Sequence, residues 1–147
     1  MFNETPSGGG DHGAALDILA GARPERLKAF AEQLLTDMGE ISVLTNRTGL
    51  VMVPMRDTVE NVDFHLGEVL VSEAHIADAQ GHVGYGMVTG RDLEHAMAMA
   101  VIDLRIAAVG EEPATANFLT EERAHQAAED TARMRQVEAT RVEMETF

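Results

Sequence analysis

Asp92, His95 and Asp103 form the one polar cluster on an otherwise apolar helix that follows Gly90, within a stretch that runs from Gly81 to Val109. At helical spacing His95 lies one turn from Asp92, where a carboxylate could hold an imidazole as a general base. The same spacing suits a plainer arrangement, an aspartate that caps a helix and a histidine buried against a partner group, and that reading is preferred. Just upstream, Gly84 and Gly86 leave alternate strand positions bare, and Gly90 can supply the positive φ of a tight strand-to-helix turn. A helix that starts there would aim free N–H groups and its positive dipole end at one point, as anion sites do. The spacing G-x-G-x-x-x-G differs from the dinucleotide fingerprint and lacks a strand-helix-strand setting, so close packing or a subunit contact competes with a phosphate site.

The remaining chemistry is sparse. His12, His65, His75, His82, His95 and His125 include no closely spaced metal-binding pair, although His75 could share a sheet face with Glu73. No metal is expected. There is no cysteine, which removes disulfides and thiolate chemistry. No Ser-His-Asp pattern or Walker loop stands out.

These residues need a scaffold, and the hydrophobic pattern describes an α+β fold. Residues 1–12, with Ser7-Gly8-Gly9-Gly10, read as a flexible leader, and 13–147 as one domain. A short helix from Asp11 or His12 ends near Gly21, and an amphipathic helix starts at Pro24 and carries Leu27, Phe30, Ala31, Leu34, Leu35 and Met38. Then the period changes. About five strands follow as an antiparallel meander: Ile41–Leu44, Leu50–Met55, Val62–Leu66, Val69–Ala77 and Val83–Thr89. Asn46-Arg47-Thr48-Gly49, Asp57-Thr58, Gly67 and Ala79-Gln80-Gly81 separate them. Leu50 to Val53 is apolar without alternation, yet Pro54 belongs at an edge or bulge. An edge strand apolar on both faces wants a neighbour.

A central apolar helix then packs on the sheet. Its wheel puts Leu93, Ala96, Met97, Ala100, Leu104, Ala107 and Ala108 towards the sheet, and leaves a second apolar side for another protein to cover. Gly110-Glu111-Glu112-Pro113 ends it. A long C-terminal helix, capped by Thr120 and spanning about 120–138, shows a thin inward stripe of Ala124, Ala127, Ala128, Thr131 and Met134 or Arg135. Arg141 to Phe147 reads either as a terminal strand or as the helix's last turns.

Composition narrows the function. A formal charge of −14 disfavours nucleic acid and anionic membranes, and no run is long enough to span a bilayer. The N-terminus lacks signal-peptide features, so a cytoplasmic location is expected. With no Trp and one Tyr there is little aromatic surface for stacking, while nine Met suit adaptable interfaces. On residue chemistry alone the chain is an interaction protein first. The competing classes are a stand-alone small enzyme using His95 with Asp92, and an anion-binding homo-oligomer using the Gly84–His95 strand-turn-helix.

Several segments closely resemble the PhnG family, the G subunit of the bacterial carbon-phosphorus lyase core complex. They are Gly49 to Val51, Leu66 to Ala74, Gly84 to Ala96 and Val137 to Glu143, in matching order across roughly Leu27 to Phe147. The most specific is the run G-Y-x-x-x-x-G-R-D-x-x-H-A from Gly84. The resemblance implies a cytoplasmic subunit assembled with subunits H, I and J, and working with an ATPase-like L subunit. The implied reaction is transferase-type: a phosphonate displaces adenine from MgATP and gives α-D-ribose 1-methylphosphonate 5-triphosphate. It implies that the nucleosidase activity sits on subunit I and the iron-sulfur chemistry on subunit J. This chain is then a required accessory that binds no cofactor of its own, with MgATP as substrate of the complex. Gly84, Gly86, Gly90, Arg91, Asp92 and His95 are the candidates for an inter-subunit or phosphate-facing contact.

Overall fold

The computed structural model describes residues 5–57 and 62–145, with side chains described for 12–52 and 67–141. Helices α1 (Thr5–Ala20) and α2 (Pro24–Leu35) lead into strands β1 (Ile41–Asp57), β2 (Val62–Asp78) and β3 (Val83–Thr89). Helices α3 (Leu93–Val109) and α4 (Pro113–Glu145) complete the chain. Much of the expected leader is therefore helical, since α1 begins at Thr5 and runs through Gly8-Gly9-Gly10.

The antiparallel meander is present, in the order β1-β2-β3, but it has three strands rather than about five. Asn46-Arg47-Thr48-Gly49 does not turn. It runs straight on, opposite Ala74, Glu73, Ser72 and Val71, because this polar stretch lies on an exposed strand where Arg47 meets Glu73 across the ladder at 3.0 Å. Gly67 likewise marks a register shift inside one long strand: Val53 faces Gly67 while Pro54 faces His65. One extra residue there makes a bulge, a place where a proline is tolerated in a strand. The expected break at Asp57-Thr58 coincides with the end of β1, Thr58 itself lying outside the described residues. The Ala79-Gln80-Gly81 turn is held by Asp78, whose carboxylate accepts from the Gln80 and His82 N–H groups at 3.0 and 2.8 Å.

α3 lies across β2 and β3 and is buried almost all round from His95 to Leu104. Its second side is covered by this chain and not by another protein, for α2 packs along Ala98 and Val101 while α1 closes over the far end. The wheel also misplaced two residues: Leu93 and Ala107 are exposed, because the helix is gripped only along its middle. The core joins Leu19, Leu27, Ile76, Met99, Ile102 and Leu104 from four elements.

The C-terminal helix is longer than expected, at 33 residues. It starts at Pro113, where the missing N–H costs nothing in the first turn, so Thr120 sits inside it and caps nothing. Gly110 ends α3 with φ of 83° and returns its N–H to Ile106. Of the two readings for Arg141 onward, the helix is the observed one through Glu145, and Thr146 and Phe147 lie outside the described residues. Phe118 stacks on Phe30 with ring centroids 4.8 Å apart, which anchors α4 on α2. Among the described residues no helix is long and apolar enough to cross a membrane.

Candidate functional site

The strand-turn-helix from Val83 to Val109 is built by backbone proximity. Gly84 and Gly86 face α3, and a Cβ on either would stand 2.2 or 2.1 Å from the carbonyl oxygen of Ala100 or Ala96. Only glycine lets β3 lie this close to a helix. These two glycines serve packing within the chain, the use that competed with a phosphate site.

The turn is tied by one hydroxyl. Ser72, fully buried on β2, donates from Oγ to the Gly90 carbonyl at 2.7 Å and accepts from the Asp92 N–H at 3.0 Å. Gly90 takes φ of 92° and gives its own N–H to Leu70. Asp92 then caps α3, its Oδ1 accepting from the His95 N–H at 3.0 Å. That bond holds the Asp92 carboxyl below its ordinary range, against a burial that pushes it up, and Lys28 at 3.5 Å adds to the lowering. A carboxylate of the chain itself therefore occupies the positive end of α3.

His95 points the other way. Its ring is buried and Nε2–H donates to the Leu19 carbonyl at 3.0 Å, so it fastens α3 to the end of α1. Asp92 touches His95 through the backbone and does not orient the imidazole. Asp103, the third member of the cluster, is two turns further on. It accepts from His12 Nε2–H at 2.7 Å and from the Tyr85 N–H at 2.9 Å, closing the outer edge of β3 and pinning α1. The structure thus separates the three residues into a cap, a helix tie and an edge cover. Arg91, exposed at the turn, is the outward-facing member of the sequence candidates.

Glu73 and His75 do share a sheet face, with Tyr85 between their roles. Tyr85 Oη–H donates to Glu73 at 2.6 Å, and the His75 ring meets the Tyr85 ring edge-on at 6.0 Å. The hydrogen bond from Tyr85, then that from Arg47, holds Glu73 below the usual carboxylate range. Burial, with Glu73 beside it, pushes the Tyr85 phenol up to about 12. This row is a cross-strand brace. His65's side chain lies outside the described residues, and no group of three metal-ligating side chains converges among those described.

Comparison with known families decides the wider identity: the model of the phosphonate metabolism protein PhnG matches residues 12–147. The chain belongs to the PhnG family. This match spans nearly the whole fold, from the start of the described side chains in α1 through α4. In this PhnG-family fold, the residues that carry the sequence signature are mostly ones the fold itself uses: Gly84 and Gly86 for closeness, Gly90 and Asp92 for the turn and cap, His95 for the helix tie. Sequence reasoning missed Ser72 as the partner of Gly90 and Asp92, His12 as that of Asp103 and the Tyr85 phenol as that of Glu73, for these pairs lie 12 to 91 positions apart along the chain and no local pattern marks them.

The described surface offers clefts but little convergent chemistry. The largest of those described, about 480 Å³, lies between α1 and β3, lined by Leu16, Asp17, Ala20, Met87 and Met99 among others. Its walls are chiefly apolar, and Asp17 is unsuited to an anion.

Proposed function

We propose that this PhnG-family chain is an accessory, structural subunit of a bacterial carbon-phosphorus lyase complex in the cytoplasm. Its partners are subunits H, I and J, with the ATPase-like L subunit joining the reaction. The complex carries out the step in which a phosphonate displaces adenine from MgATP, giving α-D-ribose 1-methylphosphonate 5-triphosphate, and the reacting groups belong to a partner. The family match over residues 12–147 carries this reading.

The fold supports an accessory role. Its buried polar groups are spent on holding helices and strand together, as the three fates of Asp92, His95 and Asp103 illustrate. Meanwhile α4 is exposed at every position from Ala127 to Arg141, an arm of roughly 22 Å that no other element of the described chain supports. Most helical stability in proteins comes from tertiary packing, and this stretch has none within the described chain, so a neighbour would hold it.

Co-expression of the tagged chain with untagged H, I and J subunits, followed by purification and mass analysis, tests the proposal. A stoichiometric complex is the expected result. A lone, folded monomer or homo-oligomer would overturn it.

A further inference from the structure

The arm of α4 carries a stripe that reads the same from either end with its charges exchanged. Asp130, Met134, Val137 and Arg141 follow one another at the four- and three-residue steps that keep side chains on one seam of a helix. Asp130 and Arg141 lie equally far from the midpoint between Met134 and Val137. The two apolar side chains are 64% and 57% exposed, and Asp130 and Arg141 are exposed beside them. The seam is roughly 16 Å long.

Charge sets this stretch apart from the rest of the chain. From Ala127 to Arg141 the acids Glu129, Asp130 and Glu138 are balanced by Arg133, Arg135 and Arg141, in a protein whose formal charge is −14. Asp130 is held at 2.8 Å by Arg133, one turn on, in an exposed pair of a kind too weak to keep the carboxylate from a facing helix.

We propose that the α4 arms of two copies of this chain pair antiparallel along this stripe, about a twofold axis between Met134 and Val137. The proposal rests on the subunit reading above and gives the arm its neighbour. In an antiparallel pair Met134 of each copy meets Val137 of the other, and Asp130 of each meets Arg141 of the other, so ion pairs close both ends of the apolar seam. Run parallel, the same stripe would set Asp130 on Asp130 and Arg141 on Arg141. The antiparallel order also places the acidic bodies at opposite ends. There the two Ala127 stand roughly 25 Å apart along the pair, well past the screening length of about 8 Å at physiological salt. Met134 and Val137 make a short seam, so it closes within the assembly, where partner subunits hold both copies at high local concentration.

The chain has no cysteine, which makes the contact readable by disulfide formation. In the complex co-purified with H, I and J, Met134→Cys/Val137→Cys should give a covalent dimer of this chain on mild oxidation. Ala132→Cys/Ala139→Cys, on the opposite face of the arm, should give at least tenfold less. On the first cysteine background, Asp130→Arg should lower the dimer at least fivefold, and adding Arg141→Asp to the same chain should restore it, because the ion pairs re-form with their signs reversed. No dimer from an intact complex, equal dimer from both cysteine pairs, a crosslink to H, I or J in its place, or a double exchange that stays unpaired would each overturn the arm pairing and leave the subunit reading standing. A dimer from a chain that does not assemble with those subunits would remove the subunit reading and leave the pairing. A chain that does neither would remove both.

Discussion

Gly86 lies so close beneath Ala96 that a methyl group on it would stand 2.1 Å from the Ala96 carbonyl oxygen. The neighbouring atom is helix backbone and cannot swing aside. Gly86→Ala, and likewise Gly84→Ala against Ala100, must push α3 off β3. Each should destabilise the protein by at least the roughly 1–3 kcal/mol typical of overpacking. Gly49→Ala, with open space around it, should cost far less. Chemical denaturation of the three full-length variants checks the order, and equal midpoints would refute it.

The segment Val83 to Val109 was the most legible part of the sequence because its signals are local: alternating glycines, a turn glycine and a capping aspartate. The fates of His95 and Asp103 were only half legible. Their polar character on an apolar helix was plain, but their partners, Leu19 and His12, come from α1, a helix whose position depends on tertiary packing. The strand count failed for a related reason. Asn46 to Gly49 carries turn residues, and only pairing with β2, including Arg47 on Glu73, keeps it extended. Thr120 has the residue type of a cap, but Pro113 suits a first helical turn and α4 already starts there.

Arg23 and Glu122 join the start of α2 to α4 with unequal exposure, 38% and 0% at the side chains. Glu122 accepts from the Arg23 backbone N–H at 3.0 Å, from Nε at 3.2 Å and from Nη2 at 2.6 Å. Removing the arginine side chain leaves the buried carboxylate only the backbone N–H of residue 23 at 3.0 Å and Arg26 at 3.5 Å, whereas removing the carboxylate leaves an arginine that reaches water. Arg23→Ala should therefore lower the denaturation midpoint more than Glu122→Gln does. Burial pushes the Glu122 carboxyl up, but the Arg23 bonds outweigh it and hold the group below its ordinary value. A lowered carboxyl stabilises the fold above its unfolded pKa, and that stability is lost as pH falls through the folded value. Stability of the wild type should thus decline below about pH 4.5, and Glu122→Gln should flatten part of that decline. A variant with an unchanged acid profile would contradict the assignment.

Thr115, in the first turn of α4, is fully buried and its hydroxyl has no hydrogen-bond partner among the described residues. Valine has nearly the same shape without the polar atom. Thr115→Val should raise stability by about 1 kcal/mol, since an unsatisfied hydroxyl gives way to a methyl group. Thermal melting of the two proteins is the check, and a lower midpoint for valine would show that the hydroxyl has a partner.

Arg91 stands at the exposed side of the turn, beside the capping Asp92. Because its side chain makes no hydrogen bond or ion pair among the described residues, Arg91→Ala should leave the melting temperature within the small range of surface substitutions. If this turn meets a partner or a phosphate, the same variant should lower the yield of complex or growth on a phosphonate as sole phosphorus source. Unchanged complex and unchanged growth would remove Arg91 from function.

The arm of α4 makes the opposite kind of demand on the rest of the protein. Met134 and Val137 are exposed on it, three residues apart and so on neighbouring positions of one helix face. Since neither supports the core, Met134→Glu/Val137→Glu should leave the core's unfolding unchanged. In the proposed assembly those side chains are covered, and two buried carboxylates without partners would be strongly unfavourable. Recovery of the complex with H, I and J should then fall at least tenfold while the chain stays folded. Full recovery would mean that this face of the arm stays in water, and would move the contact to another face of α4 or away from it.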